Sequence, residues 1–354
     1  MKKLCLLVVL LGFSNSIMAQ QVILKENKWS VEKATKWYES HQWISGANFI
    51  PSTAINQLEM WQEKTFDPKT IDRELSYAQG IGFNTMRVYL HSLAYKSDPN
   101  GFKKRIHHYL KIADSHGIKT IFVFFDDVWD ANPKIGKQPK PKPGTHNSGW
   151  VQDPGYPASK NPSTFAALEV YVKDILSSFK EDERILLWDL YNEPGNNGKS
   201  TSSLALLTQI FTWAREINPS QPLSVGLWKW DEIELNRFQL ANSDIITYHD
   251  YEAPEWHLRV VQLLEASGRP MICTEYMART RNSTFTNTLA MLKEHHVGAI
   301  NWGLVRGKTN TIYAWDTPIK SGAEPELWFH DVFREDGTPY RLEEVELIKK
   351  LNRN

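Results

Sequence analysis

"LLWDLYNEPGN", Leu186 to Asn196, carries the decision about the fold. Apolar residues lead into a short polar knot, Asn192-Glu193-Pro194-Gly195. A nearly continuous apolar run suits a parallel strand covered on both faces. Proline and glycine break the ladder, so the strand ends where the chain first offers an amide and a carboxylate. Asp189, four residues before Glu193, reads as a brace beneath that end. If other strands finish the same way, the knot is one part of a rim.

Seven other apolar or β-branched runs share the character of this one: Trp43 to Phe49, Phe83 to Leu90, Thr120 to Phe125, Leu223 to Trp228, Ile245 to His249, Met271 to Thr274 and Ala299 to Gly303. Helical patterns fall between them. In "DPKTIDRELSYAQGIG", Asp67 reads as N-cap, Pro68 as first helical residue and Gly80 and Gly82 as the stop. Phe102, Ile106, Tyr109, Leu110 and Ala113 make one apolar face at helical spacing. Further helices are expected over Phe165 to Phe179, Leu204 to Ile217, Asp231 to Leu240, Pro254 to Ala266, Thr284 to His296 and Leu342 to Leu351. Eight strand-helix units predict an α/β protein, a single-domain (β/α)8 TIM barrel whose site lies at the C-terminal strand ends. A doubly wound open sheet is the alternative, but "ISGANFIPS" lacks the G-x-G-x-x-G turn that such a sheet carries after its first strand.

The composition narrows the function classes. Lysine plus arginine and aspartate plus glutamate each number 41, so the formal charge is zero. Such a chain has no electrostatic reason to seek nucleic acid or an anionic membrane. Aromatic residues are abundant, with 14 Trp, 13 Tyr and 15 Phe, and they serve either large cores or apolar ligand faces such as sugar rings. Residues 1–20, "MKKLCLLVVLLGFSNSIMAQ", have the layout of a secretory signal peptide, which leaves residues 21–354 as the catalytic domain and a periplasmic or extracellular site of action. Cys5 lies inside the apolar run, unlike a lipoprotein cysteine. No second hydrophobic span follows. Cys273 alone remains after cleavage, so no intrachain disulfide is expected.

On the barrel reading, polar residues gather at one rim. The second strand holds Arg87, the third ends in Asp126 and Asp127, and the fourth in Asn192 and Glu193. The sixth ends in "TYHDY" with His249 and Tyr251, the seventh carries Glu275 in "PMICTEYM", and the eighth ends at Trp302. Glu193 and Glu275 come from strands three units apart, across the barrel mouth. Two carboxyl groups so placed are what cleavage of a glycosidic bond needs, one to protonate the leaving oxygen and one to attack the anomeric carbon.

Asn-Glu-Pro ending strand four, with Glu ending strand seven and with Arg87, "HDY", "TEY" and "NWG" in order, resembles the clan A glycoside hydrolases, nearest to the family 5 type of cellulases, mannanases and xylanases. The resemblance runs from about Trp43 to Trp302. It implies a retaining β-glycoside hydrolase acting on a β-linked poly- or oligosaccharide, first a β-1,4-linked plant glycan, with no cofactor or metal. It further implies Glu193 as acid/base, Glu275 as nucleophile, Asn192 on the sugar 2-hydroxyl and Arg87 steadying the nucleophile. His249 and Tyr251 match the strand-six pair, with the tyrosine near the nucleophile though the choice between the two stays open here, and Trp302 matches the aromatic floor. Two carboxyl groups about 5–5.5 Å apart would mean retention, and a gap nearer 8 Å inversion.

Where family members often carry a histidine, this chain has Asp126 and Asp127, to bind a sugar hydroxyl or to brace the rim. In "FIPSTAINQLEMW", Asn56, Gln57, Glu59 and Trp61 either reach the substrate or form a packed loop. Two long loops are expected as walls. Residues 130–162, after strand three, offer His146 and Trp150, and the loop after strand eight offers Lys308, Asn310 and Trp315; together they suggest a pocket or short cleft. The adjacent pairs His107/His108 and His295/His296 lack H-E-x-x-H spacing, and no G-x-S-x-G occurs. A transglycosylase with the same site and a non-catalytic carbohydrate-binding barrel remain the alternatives. Oligomeric state is not legible.

Overall fold

The computed structural model describes residues 27–353 apart from Pro157; the leader read in residues 1–20 lies outside them. Eight parallel strands succeed one another with helices between: β1 (Ser45–Asn48), β2 (Thr85–Tyr89), β3 (Lys119–Asp126), β4 (Ile185–Asn192), β5 (Leu223–Ser224), β6 (Ile246–His249), β7 (Met271–Tyr276) and β8 (Gly298–Asn301). Their order is β5-β4-β3-β2-β1-β8-β7-β6. The remaining seam, between β5 and β6, closes at a parallel bridge from Leu227 to Tyr248, where the His249 amide donates to the Leu227 carbonyl at 2.7 Å. This is the (β/α)8 barrel, in one domain.

The local expectations are met at several helix ends. Asp67 caps the helix Pro68–Gly80 by accepting from the Thr70 amide, with proline in its first turn. The apolar face read from Phe102 to Ala113 lies on the helix Pro99–Ser115, all five residues buried. Three differences matter. β7 extends to Tyr276, so Glu275 stands within the strand. β5 is only two residues long, because Val225 onward already turns toward the seam. The helix expected over Thr284 to His296 begins as a π-turn, Phe285–Leu289, before Ala290–Glu294.

Inside the barrel, Ile121, Leu187, Ile245, Ile272 and Ile300 form an aliphatic layer, the branched packing such barrels use. Trp29 and Ala34, the latter on an unanticipated helix Val31–Glu39, pack against that layer. Above it the interior becomes polar, with Arg87 and Asp189 fully buried. Among the described residues, no helix is long and apolar enough to cross a membrane.

Candidate active site

The polar layer is organised by Arg87. Its guanidinium donates from Nε and Nη2 to Asp189 Oδ2 (2.9 and 2.8 Å), from Nη2 to Asn192 Oδ1 (2.8 Å), and from Nη1 to Asn48 Oδ1 and Glu275 Oε1 (both 2.8 Å). One cation thus ties strands β1, β2, β4 and β7 together. A buried charge is tolerable only when paired and hydrogen-bonded, and every partner here supplies an oxygen. Asp189 is the brace expected of it.

Glu275 accepts two further hydrogen bonds, from the Tyr89 hydroxyl to Oε1 (2.9 Å) and from the Tyr251 hydroxyl to Oε2 (2.8 Å). The choice left open between His249 and Tyr251 is thereby resolved in favour of the tyrosine. His249 Nδ1 lies 3.1 Å from Glu193 Oε1 and 3.5 Å from Glu275 Oε2, between the two acids. Burial pushes the imidazole down to about 4, against the pull of Glu275, so the ring is neutral at ordinary pH.

Glu193 sits at φ +43, in the left-handed region that non-glycine residues seldom occupy. Pro194 follows, then Gly195 at φ +87, and this turn swings the carboxyl sideways over the mouth. Asn196 Nδ2 donates to Oε2 at 2.8 Å. Burial dominates its environment and pushes the Glu193 carboxyl up to about 7, opposed by Asn196 and Arg87 and reinforced by Asp127. One oxygen each of Glu193 and Glu275, with a nitrogen of His249, lie within 4.8 Å of one another. That spacing is well short of the gap of about 6.5–9.5 Å that an inverting pair keeps for its attacking water. Among the described residues these three are the one cluster able to hold a metal ion, though the Arg87 cation already lies on Glu275.

The remaining candidates divide. Trp302 packs edge-on against Tyr89 and Trp150, with centroids 5.9 and 5.6 Å away. Trp150 is buried and donates from its indole to Asp126 Oδ2 at 2.7 Å. Both aspartates are buried and take bracing positions. Asp126 accepts from Asn192 Nδ2 (2.9 Å), and burial pushes it up to about 8 against the Asn192 and Trp150 hydrogen bonds. Asp127 accepts from the Tyr191 hydroxyl and the Gly195 amide (both 3.0 Å). Lys308 is turned away to Glu59 at 2.8 Å. Asn56 caps the short helix Gln57–Trp61, and Trp61 lies in the core with its indole on the Tyr89 carbonyl; the strand-one loop is a packed one.

Three participants escaped the sequence reading: Asn48, Tyr89 and Asn196. Two carried a signal. Tyr89 is two residues beyond Arg87 and therefore on the same face of β2, and Asn48 is the polar end of β1. Asn196 depends on a turn with positive φ at Glu193 and Gly195 that spacing does not reveal.

Comparison with known proteins identifies the family and the fold. A family model described as Cellulase (glycosyl hydrolase family 5) matches residues 44–307. Comparison with curated proteins finds no match. Among solved structures, the chain is similar to the endo-β-1,4-mannanase of Thermotoga petrophila (TM-score 0.58, 14% identity, 88% of this chain and 76% of that one). It is also similar to GH5_18 from Streptomyces cattleya in complex with GlcNAc (TM-score 0.61, 11% identity, 88% and 80%). A third is an exo-β-1,4-mannosidase from Opitutaceae bacterium strain TAV5 (TM-score 0.61, 15% identity, 88% and 59%). At such identities the structural likeness speaks to the fold.

Proposed function

The chain belongs to glycosyl hydrolase family 5 and is a glycoside hydrolase, and we propose that it cleaves a β-1,4-linked glycan by double displacement with retention of configuration. The observation that carries this reading is the approach of Glu193 and Glu275 oxygens to within 4.8 Å. Retaining pairs stand about 5–5.5 Å apart, whereas an inverting pair needs a wider gap to admit water.

In the first step a Glu275 oxygen attacks the anomeric carbon as the glycosidic bond breaks, and Glu193 gives its proton to the departing oxygen. A carboxyl raised to about 7 by burial holds that proton at mildly acidic pH. Arg87, Tyr89 and Tyr251 aim the attacking carboxylate. In the second step Glu193, now ionised, takes a proton from water, whose oxygen attacks the same carbon and frees Glu275. Asn192, held by Arg87 and Asp126, is positioned for the sugar 2-hydroxyl, and Trp302 lies under the ring.

Mannosides are the first sugars to try, given the mannanase and mannosidase among the structural neighbours. We place the reaction outside the cytoplasm, on the leader read in residues 1–20. The test is a panel of defined β-linked oligosaccharides, with the anomer of the first product followed by NMR. Retention is expected, with turnover lost in Glu275→Ala while the fold persists. An inverted first product, or wild-type turnover in that variant, would sink the assignment. Excess sugar acceptor separates hydrolysis from transfer.

A further inference from the structure

One half of the barrel rim is roofed and the other is open. To reach the β8 loop from the end of β3, residues 130–162 must pass over the ends of β2 and β1, the two strands that lie between. They are fastened on the way. Gln62 exchanges hydrogen bonds with Gly136 (3.0 and 2.6 Å), and Asn56 Nδ2 donates to Gln138 Oε1 and to the Gly149 carbonyl (both 2.8 Å). At the far end, the Asn147 amide donates to the Thr309 carbonyl (2.8 Å) and the Ile319 amide to the Gly144 carbonyl (3.0 Å). On the opposite side, only residues 250–253 separate β6 from the helix Pro254–Glu265.

The catalytic groups straddle this asymmetry. Glu193, in the turn after β4, borders the open half; Tyr89 on β2 and Trp302 after β8 lie on the roofed half. A proton donor must adjoin the leaving oxygen, so the leaving part of the substrate occupies the open side. The sugar whose anomeric carbon is attacked then lies toward Trp302, with the wall behind it. Beside Trp302, which lines it together with Asn48, Phe49, Tyr89, Trp150 and Thr309, is a recess of about 20 Å³, room for about one water and not for a second sugar. An aromatic row closes the rim above. Tyr251 is 5.0 Å from Trp315, which is 6.2 Å from His146, which is 5.9 Å from Trp129. Trp129 is 41% exposed and held at φ +69, the kind of strain that persists where surrounding structure demands it.

Building on the assignment of Glu193 as acid, we propose that this is an exo-acting enzyme: the glycone side is a blind pocket for one sugar, and single residues are removed from the non-reducing end. The bond broken is the first one from that end, and each turnover consumes one water and releases one monosaccharide.

The experiment uses β-1,4-linked hexasaccharides of mannose, glucose and xylose, fluorescently labelled at the reducing end and sized over time. For the accepted sugar, the label should step from six to five to four residues with monosaccharide as the other product. Methylating the terminal non-reducing 4-hydroxyl should abolish cleavage. Early labelled di- or trisaccharide, or cleavage of the capped substrate at the uncapped rate, overturns the blind-pocket inference and leaves the hydrolase intact. If neither these series nor aryl β-glycosides are cleaved, the Glu193–Glu275 assignment itself has failed, and this inference with it.

Discussion

Replacing Glu193 with glutamine should make the protein more stable at alkaline pH while disabling it. Glutamate titrates near 4.5 when free, and burial raises Glu193 to about 7. At 1.36 kcal/mol per pKa unit, this amounts to roughly 3 kcal/mol of preference for the neutral form. A raised carboxyl costs nothing below pH 4.5, where it is protonated in both folded and unfolded chains. As pH rises from 4.5 the unfolded chain ionises first, and stability falls until the folded carboxyl also ionises around pH 7. Glutamine cannot ionise and keeps an oxygen for Asn196. The difference in melting temperature between Glu193→Gln and wild type should therefore be near zero at pH 4.5 and grow to the order of 5 °C by pH 8. Asp126 and Asp153, both also raised to about 8 by burial, remain in both proteins and largely cancel. Where they do not, removing the Glu193 charge relieves Asp126 and acts in the same direction. Thermal scans at half-unit intervals of pH would measure the curve. A flat difference, or a glutamine variant that becomes the less stable one at pH 8, would refute the reasoning.

Five other outcomes follow from the same geometry. Wild-type kcat/KM should fall as pH rises through about 7, as Glu193 loses its proton; Glu193→Gln should lose turnover on alkyl glycosides yet keep a rapid first release of dinitrophenolate from dinitrophenyl glycosides, whose leaving group needs no proton, after which the glycosyl-enzyme accumulates for want of a base to activate water. Arg87→Met leaves Asp189 and Glu275 buried without their cation, and urea unfolding should report a loss of roughly 3–5 kcal/mol. Dialysis against EDTA should leave turnover unchanged, because the cluster of Glu193, His249 and Glu275 already has the Arg87 cation 2.8 Å from Glu275; lost activity restored by a divalent ion would reverse that view. Asp127→Asn should lower kcat more than it raises KM, measured on the same substrate, because the turn that aims Glu193 loses an acceptor; unchanged kinetics would mean that the turn holds without it.

The barrel was legible because its signals are local. Apolar runs covered on both faces, caps such as Asp67-Pro68 and the polar ends of strands depend on a few neighbouring residues, and eight repetitions leave little choice of architecture. Glu193, Glu275 and Arg87 could be picked out because a charge inside or ending an apolar strand is conspicuous. Their partners were less accessible. Whether His249 or Tyr251 meets Glu275 depends on a register shift between Tyr248 and His249 in the β6–β7 pairing, which no spacing announces. Lys308, a plausible sugar contact in isolation, is claimed by Glu59 from the short helix after β1, 249 positions away in the chain. Loop-to-loop contacts of that span are set by tertiary packing and are invisible to periodicity.

The two adjacent aspartates at the end of β3 show how the acid is held. Neighbouring residues in a strand point to opposite faces, so Asp126 and Asp127 cannot do the same work. The register pairs Asp126 with Asn192, and Asp126 takes the Asn192 amide while Arg87 takes its carbonyl oxygen; the asparagine is fixed at both ends. Asp127 looks the other way, to Tyr191, Ser203 and Lys199, and to the amide of Gly195. That amide belongs to the turn in which Glu193 is held at φ +43. A non-glycine residue there costs on the order of 1–3 kcal/mol, and a buried carboxylate gathering donors on the far side of the turn offsets that cost. The "DD" of strand three and the "NEPG" of strand four are thus one device. The first aspartate sets the residue that meets the sugar, and the second sets the turn that presents the proton.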